Sequence, residues 1–271
     1  MLHVALLAAL AGVTEALPVS PSGHGALARL WIEPGAAPSH MEALMALGAA
    51  LGLTVAAWRR LAAAAGEGVR AVARPALFGA SQAARDALAL LVGSAVSLLV
   101  SAVTLPRVDM WLTSPTAVGL GLCASGLAIA STALAPRLAA HEAGSARPGP
   151  SLVGAALVGL AHGLAVFPGA SRVGAALTVL VWIGVKPSRA VDLALLLTVP
   201  ALLVAFARGA QTAASATTVA LVLSLAFLGA IVATEALRGL VVRRRLGALA
   251  LWTIPLGVAM LAYARALPQA I

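Results

Sequence analysis

The pattern of apolar positions divides the chain into long, almost uncharged stretches separated by short clusters of charge. Six stretches are long enough for a helix to cross a hydrocarbon core of about 30 Å. They cover residues 41–58, 86–105, 116–136, 190–207, 216–236 and 246–266. Two other apolar segments, 2–32 and 151–185, are interrupted near the middle by Pro, Gly, Ser and a charged side chain. No alternation typical of barrel strands accompanies them, so the pattern predicts an all-α membrane protein with six transmembrane helices.

The composition strengthens this prediction. Hydrophobic residues make up 61% of the chain and charged residues 10%, whereas about a quarter of a soluble domain is charged. The net charge of +9 comes from arginines clustered between the apolar stretches, which is typical of cytoplasmic loops and not of a nucleic-acid-binding face. We therefore predict one multi-pass integral membrane domain over residues 1–271, in the bacterial inner membrane, with lipids and no nucleic acid as partners.

The distribution of arginine also orients the predicted crossings. Connections 59–85, 137–150 and 237–245 are richer in Arg than the other connections, so they are assigned to the cytoplasm. Segment 151–185 then begins and ends on the cytoplasmic side, which makes it a re-entrant helical hairpin. By the same reasoning, segment 2–32 is a second re-entrant hairpin, and it enters from outside.

Each half of the chain, about residues 1–136 and 151–271, would then contain one re-entrant hairpin followed by three crossings. The two halves would have opposite orientations, which is the inverted-repeat plan, and both termini would be periplasmic. A weak internal similarity agrees with this plan. Residues 12–15 (GVTE) and 159–162 (GLAH) occupy corresponding positions, and Leu, Pro and Ser follow in each half.

The first interrupted segment carries polar groups that are costly at membrane depth and usually functional. Within residues 11–24 (AGVTEALPVSPSGH), Pro and Gly release backbone groups that a continuous helix would hold. Ser20, Ser22 and the released N–H groups are predicted to form an anion-binding nest beside the Glu15 carboxylate and the His24 imidazole.

The second interrupted segment supplies a cation. Pro168 and Gly169 end one predicted helix, and Ser171 and Arg172 begin the next. An Arg at a helix N-terminus combines a guanidinium fork suited to phosphate with the positive end of the helix dipole. The two interruptions together therefore predict a site for a lipid phosphate. The candidate phosphate-binding residues are Ser20, Ser22, His162, Gly169, Ser171 and Arg172. The alternative roles are helix capping for the serines and core packing for His162.

These motifs resemble those of the undecaprenyl-pyrophosphate phosphatases of the bacitracin-resistance type, integral membrane enzymes that recycle the cell-wall lipid carrier. The resemblance is carried by Thr14-Glu15, by residues 17–20 (LPVS), by Gly23-His24, by residues 58–61 (WRRL) and by residues 168–172 (PGASR). It implies six crossings plus two re-entrant hairpins, a site open to the periplasm, and activity that depends on a divalent cation, Mg²⁺ or Ca²⁺.

The chain departs from the family pattern at several positions. The family's first motif has two acids four residues apart, and the first of them falls at Ala11. The serine proposed as a nucleophile falls at Pro21, and the Gln of the second hairpin falls at His162.

Two hypotheses of different classes follow. In the first, the chain hydrolyses undecaprenyl (polyprenyl) diphosphate to the monophosphate and phosphate at the periplasmic face. Arg172 would hold the phosphate, Glu15 would bind the metal or position water, and His24 would act as general acid, general base or nucleophile. In the second, the chain is a relative that binds and translocates a polyprenyl phosphate lipid without cleaving it. A transporter for a small molecule or an ion is a third alternative, and the sequence is compatible with a homodimer.

Overall fold

The computed structural model describes residues 1–32, 39–135, 149–209 and 214–267, and the regular elements within these ranges are all helical. The helices are α1 (Leu2–Ala16), α2 (Pro21–Ile32), α3 (Ser39–Ala56), α4 (Trp58–Ala73), α5 (Leu77–Ala80), α6 (Gln82–Val108), α7 (Pro115–Ser131), α8 (Leu152–Leu164), α9 (Arg172–Trp182), α10 (Pro187–Gly209), α11 (Ala216–Val242) and α12 (Ala250–Ala266). Short 3-10 turns extend α6 and α7 and precede α12. The predicted all-helical class is confirmed.

Serine residues set the start of several of these helices. Each of them accepts a hydrogen bond at its hydroxyl oxygen from the backbone N–H three residues later, which satisfies one donor that the first turn leaves free. The capping serines are Ser20, Ser81, Ser114, Ser151, Ser171 and Ser215. Short polar residues at the edges of apolar stretches therefore decide where the helices begin.

Within the described ranges, five helices are long and apolar enough to cross a membrane, and a sixth candidate is the bent pair formed by α3 and α4. These candidates correspond to the six predicted crossings. Segments 2–32 and 151–185 each form two short helices, α1 with α2 and α8 with α9. Most of the connection 59–85, which was expected to be a loop, is helical: α4 bends from α3 by 77°. The connection 137–150 lies almost entirely outside the described residues.

Glycines allow the short helices to pack closely on long ones. Helix α1 packs on α11, where a Cβ on Gly12 would lie 2.1 Å from the carbonyl oxygen of Ala226. Helix α8 packs on α6, where a Cβ on Gly159 would lie 2.4 Å from the carbonyl oxygen of Gly93. In lipid, close backbone approach at small residues provides the packing that hydrophobic burial provides in water.

A network of ion pairs ties helices of the two halves together. Asp86 at the start of α6 is 2% exposed and pairs with Arg189 of α10 and with Arg60 of α4. Asp192 of α10 pairs with Arg60 at 2.8 Å and with Arg238 of α11 at 2.8 Å. The network lies at the helix ends that the arginine distribution assigns to the cytoplasm, and it joins α4, α6, α10 and α11.

Candidate functional site

The turn between α1 and α2 is built around Ser20. This residue is fully buried, has a left-handed backbone with φ of 73°, and caps α2 by accepting a hydrogen bond from the N–H of Gly23 at 3.1 Å. Pro21 occupies the first position of α2, where its missing N–H is not needed and its fixed φ favours the helix. The start of a helix therefore explains the proline at this position.

Ser22 joins the two interrupted segments. Its hydroxyl oxygen accepts a hydrogen bond from the N–H of Gly169 at 3.0 Å and lies 3.4 Å from the hydroxyl oxygen of Ser20. Ser22 and Gly169 are 147 residues apart in the chain, yet they are in direct contact.

Helix α7 packs against the second interrupted segment. Gly169 has a φ of +77°, and a Cβ there would lie 2.0 Å from the carbonyl oxygen of Val118. The N–H of Ser171 donates to the hydroxyl oxygen of Ser125 at 2.9 Å. Sequence reasoning missed Ser125, because a lone serine within an apolar crossing gives no signal of what it contacts.

Arg172 is the first residue of α9. Ser171, which is 1% exposed, caps this helix by accepting from the N–H of Gly174 at 3.1 Å. Within the described ranges, neither the Arg172 guanidinium nor the N–H groups of Arg172 and Val173 have a hydrogen-bond partner. The half-buried guanidinium and the first turn of α9 therefore present unused donors together, which is an arrangement that binds anions.

Glu15 lies one residue before the end of α1. Among the described residues its carboxylate forms no hydrogen bond and no ion pair, but the charge of Arg172 acts on it. An ionised group in an apolar surrounding is costly unless it is paired. Glu15 and Arg172 are thus two ionisable groups that influence one another while each keeps its hydrogen-bonding capacity for another molecule.

His162 is fully buried, and both of its ring nitrogens have partners. Nδ1 lies 2.7 Å from the hydroxyl oxygen of Ser97, and Nε2 lies 3.1 Å from the hydroxyl oxygen of Thr198. The Thr198 hydroxyl donates to the carbonyl of Ala194, so Nε2 is the donor and Ser97 donates to Nδ1. The role of His162 in phosphate binding stays a prediction, and that role would require one of these hydrogen bonds to open. Sequence reasoning missed both hydroxyl partners.

His24 is linked to the cluster through Ser20 and forms no described hydrogen bond to Glu15 or Arg172. Its Nδ1 lies 2.9 Å from the carbonyl oxygen of Ser20, and its Nε2 lies 2.8 Å from the indole nitrogen of Trp252 on α12. Sequence reasoning missed Trp252, because a tryptophan near the end of a crossing is typical of the membrane interface.

Glu15 is the candidate metal ligand. The described residues contain no group of three or more His, Cys, Asp or Glu side chains that could hold a metal ion. Ala11, at which the resemblance leads us to expect the first acid, packs against an apolar cluster that contains Leu44 and Val222. Glu15 is a single carboxylate and the nitrogens of His24 are occupied, so these residues do not form a protein-built metal site.

The chain is similar in sequence to a known protein family and to several named relatives. A family model described as "Bacitracin resistance protein BacA" matches residues 4–259. A protein of Rhizorhabdus wittichii named "Undecaprenyl-diphosphatase" is 30% identical over 268 residues, which are 96% of each chain. "Undecaprenyl-diphosphatase 1" of Rhodospirillum rubrum is 30% identical over 97% of this chain and 95% of its own. A third relative, "Undecaprenyl-diphosphatase" of Sphingopyxis alaskensis, is 30% identical over 89% of each chain.

Proposed function

The chain belongs to the bacitracin resistance protein BacA family, and from this premise we propose that it hydrolyses a polyprenyl diphosphate to the monophosphate and inorganic phosphate. The predicted family resemblance is confirmed by the match over residues 4–259. The relatives carry the name undecaprenyl-diphosphatase, which supports a hydrolase and a C55 lipid substrate. The alternative of a lipid-binding relative without catalysis is not favoured.

The proposal rests on Arg172 and Glu15. Among the described residues, neither the Arg172 guanidinium nor the Glu15 carboxylate has a hydrogen-bond partner. A phosphate at the first turn of α9 would receive the guanidinium fork and the N–H groups of Arg172 and Val173. Charge-assisted hydrogen bonds to phosphate are roughly twice as strong as neutral ones. Because the same donors would face the charge that develops on the departing phosphate, they would stabilise the transition state as well as the bound substrate.

The reaction can be written with the side chains that are present. Glu15 orients a water molecule whose oxygen forms a bond to the terminal phosphorus, while the bond from that phosphorus to the bridging oxygen breaks. Nε2 of His24 takes the proton of the water. The monophosphate leaves with the bridging oxygen and its electron pair, and it takes up the proton when His24 returns to its neutral form.

The serines and glycines of the site have supporting roles in this proposal. Ser20 and Ser171 cap α2 and α9, and Ser22 ties the turn before α2 to Gly169. Pro21 has no nucleophilic group, so the attacking group is water and no phosphoserine forms at this position. Where a Mg²⁺ or Ca²⁺ ion arrives bound to the diphosphate, Glu15 is the carboxylate that would contact it.

The finer arrangement of the fold is also part of the proposal. We place six crossings and two re-entrant hairpins in an inverted repeat, with both termini and the open side of the site in the periplasm. The reciprocal packing supports this plan: the first hairpin helix of each half, α1 or α8, packs on the second long helix of the other half, α11 or α6. Gly12 and Gly159, at corresponding positions of the internal similarity, make these two close contacts.

Phosphate release from farnesyl diphosphate by the purified protein, with and without Mg²⁺ or Ca²⁺, tests the function. We expect Arg172→Ala to lower kcat/KM by about 10²–10³, the usual effect of removing a donor that stabilises transition-state charge. Arg172→Lys should lose less, because a charge remains without the fork. Arg208→Ala, which removes an exposed Arg near the end of α10, is the matched control. Equal activity in the Arg172→Ala and Arg208→Ala variants would overturn the proposal.

A further inference from the structure

The imidazole of His24 lies between two partners of opposite character. On one side, Nδ1 is 2.9 Å from the backbone carbonyl oxygen of Ser20. On the other side, Nε2 is 2.8 Å from the indole nitrogen of Trp252, and the two rings are nearly parallel, with 19° between their planes. The contact joins α2 near the beginning of the chain to α12 near its end, across 228 residues.

These partners fix the tautomer of His24. A carbonyl oxygen only accepts hydrogen bonds, so Nδ1 must carry the ring proton. An indole N–H only donates, so Nε2 must offer its lone pair. The ring is therefore neutral in this state, because a proton on Nε2 would point at the indole proton and break the contact. The lone pair that would accept a proton from water is directed at Trp252.

Trp252 is placed to change partners. Its side chain is 58% exposed, and it lies in the first turn of α12. An indole N–H can donate to any acceptor that comes within reach. Here the indole N–H reaches a catalytic candidate. A diphosphate that enters the site is a stronger acceptor than a neutral imidazole, since hydrogen bonds to charged oxygens are roughly twice as strong as neutral ones.

We propose that Trp252 is a positioning residue: its indole N–H holds His24 as the neutral Nδ1–H tautomer, and a phosphate oxygen of the substrate then takes this N–H and frees Nε2. The substrate thereby exposes the base that its own hydrolysis requires. This inference rests on the proposed role of His24 as the proton acceptor, while the exchange of the indole partner needs only that the site binds a diphosphate.

The exchange can be measured by NMR on ¹⁵N-labelled protein in lipid nanodiscs. The Trp252→Phe variant identifies the indole N–H signal of Trp252 by its absence. The signal can also be identified in His24→Ala, which removes the acceptor and should shift this indole signal alone. Farnesyl diphosphate is the probe, and we expect it to shift the Trp252 signal in a saturable manner. Trp182 is the matched control, because its indole N–H donates to the hydroxyl oxygen of Ser131 at 3.1 Å, away from the site.

The labelled imidazole signals test the tautomer. In the unmodified protein, the ring of His24, identified by its absence in His24→Ala, should have its proton on Nδ1. In Trp252→Phe the ring should no longer be confined to this form, and kcat should fall about tenfold, the effect of one lost hydrogen bond. Trp182→Phe should change neither quantity.

The outcomes separate this inference from the proposed hydrolysis. A Trp252 signal that shifts with farnesyl diphosphate in a protein that releases no phosphate would support the partner exchange and contradict the hydrolase. Normal phosphate release, with a Trp252 signal that does not respond and a Trp252→Phe variant that behaves like Trp182→Phe, would overturn the role of Trp252 and leave the hydrolase standing.

Discussion

The contact between helix α7 and the segment before α9 makes Gly169→Ala the most informative single substitution. The backbone at Gly169 has a φ of +77°, a conformation that side chains with a Cβ disfavour. In addition, a Cβ there would lie 2.0 Å from the carbonyl oxygen of Val118 on α7. We expect the alanine variant to be destabilised and to lose activity, because Gly169 also holds Ser22 through its N–H.

The size of the effect follows from two contributions. The left-handed conformation costs a residue with a Cβ about 1–2 kcal/mol. The steric contact can be relieved only if α7 and the segment separate by about 1 Å, and overpacking of this kind costs typically 1–3 kcal/mol. The sum is about 2–5 kcal/mol. At about 2–4 °C per kcal/mol for a chain of this size, the melting temperature should fall by about 4–20 °C.

The assay is thermal unfolding of the detergent-purified protein, followed by the loss of its monodisperse chromatographic peak. Gly66→Ala in α4 is the matched control, since a Cβ there would meet nothing within 4 Å. That variant should be as stable as the original protein or slightly more stable, because alanine favours a helix over glycine. Equal melting temperatures for Gly169→Ala and Gly66→Ala would refute the packing described here.

A double substitution tests the same contact from both sides. A Cβ on Gly121 of α7 would lie 2.0 Å from the carbonyl oxygen of Pro168, so Gly121→Ala opens the same interface. One movement of α7 relieves both contacts. The double variant should therefore lose less stability than the sum of the two single variants, and strict additivity would show that the two glycines do not share one contact.

Three further predictions concern stability elsewhere in the fold. Asp86→Ala should lower the free energy of unfolding by about 3–5 kcal/mol, because it leaves the nearly buried Arg189 without its carboxylate; a loss below about 1 kcal/mol in a thermal melt would contradict this. His162→Leu should lower the melting temperature and leave the KM of the folded fraction unchanged, whereas a raised KM at an unchanged melting temperature would make His162 a substrate ligand. Gly12→Ala should destabilise the contact between α1 and α11. Gly239→Ala is the control, since a Cβ on Gly239 would meet nothing within 4 Å. Similar melting temperatures for the two variants would contradict the close packing at Gly12.

The helices and their breaks were predictable because lipid imposes a simple rule on the sequence. Each crossing must be long and apolar, so its position follows from composition alone, and each Pro-Gly interruption marks where the backbone leaves the helix. In the connection 59–85, the arginines indicate the side of the membrane but not the secondary structure. Exposed apolar residues of α4 recur every three or four positions, from Trp58 to Val72, which is the pattern of an amphipathic helix.

The site was predictable only in part, since a motif shows what it contains and not what packs on it. Glu15, Ser22 and Arg172 were found because polar residues are rare in apolar segments. The partners supplied by other crossings, such as Ser125 and Trp252, lie in stretches whose composition gives no sign of a neighbour 46 or 228 residues away. The direction of the His24 lone pair depends on one of these partners and could not have been predicted.

Both departures, Ala11 and Pro21, have a physical explanation. At position 11 the explanation is the net charge of the site. With Glu15 ionised, Glu15 and Arg172 together carry no net charge, whereas a second acid at position 11 would make the site negative before the diphosphate arrives. In this chain α1 presents an apolar face at Ala11, which packs against the cluster that contains Leu44 and Val222. In the proposed reaction, a cation would then have to supply less positive charge to offset the diphosphate, and the N–H groups of Arg172 and Val173 would contribute a larger share of phosphate binding. Pro21 starts a helix and Ala11 packs in an apolar cluster, so in the proposed hydrolysis the chemistry falls to water, Glu15, Arg172 and His24.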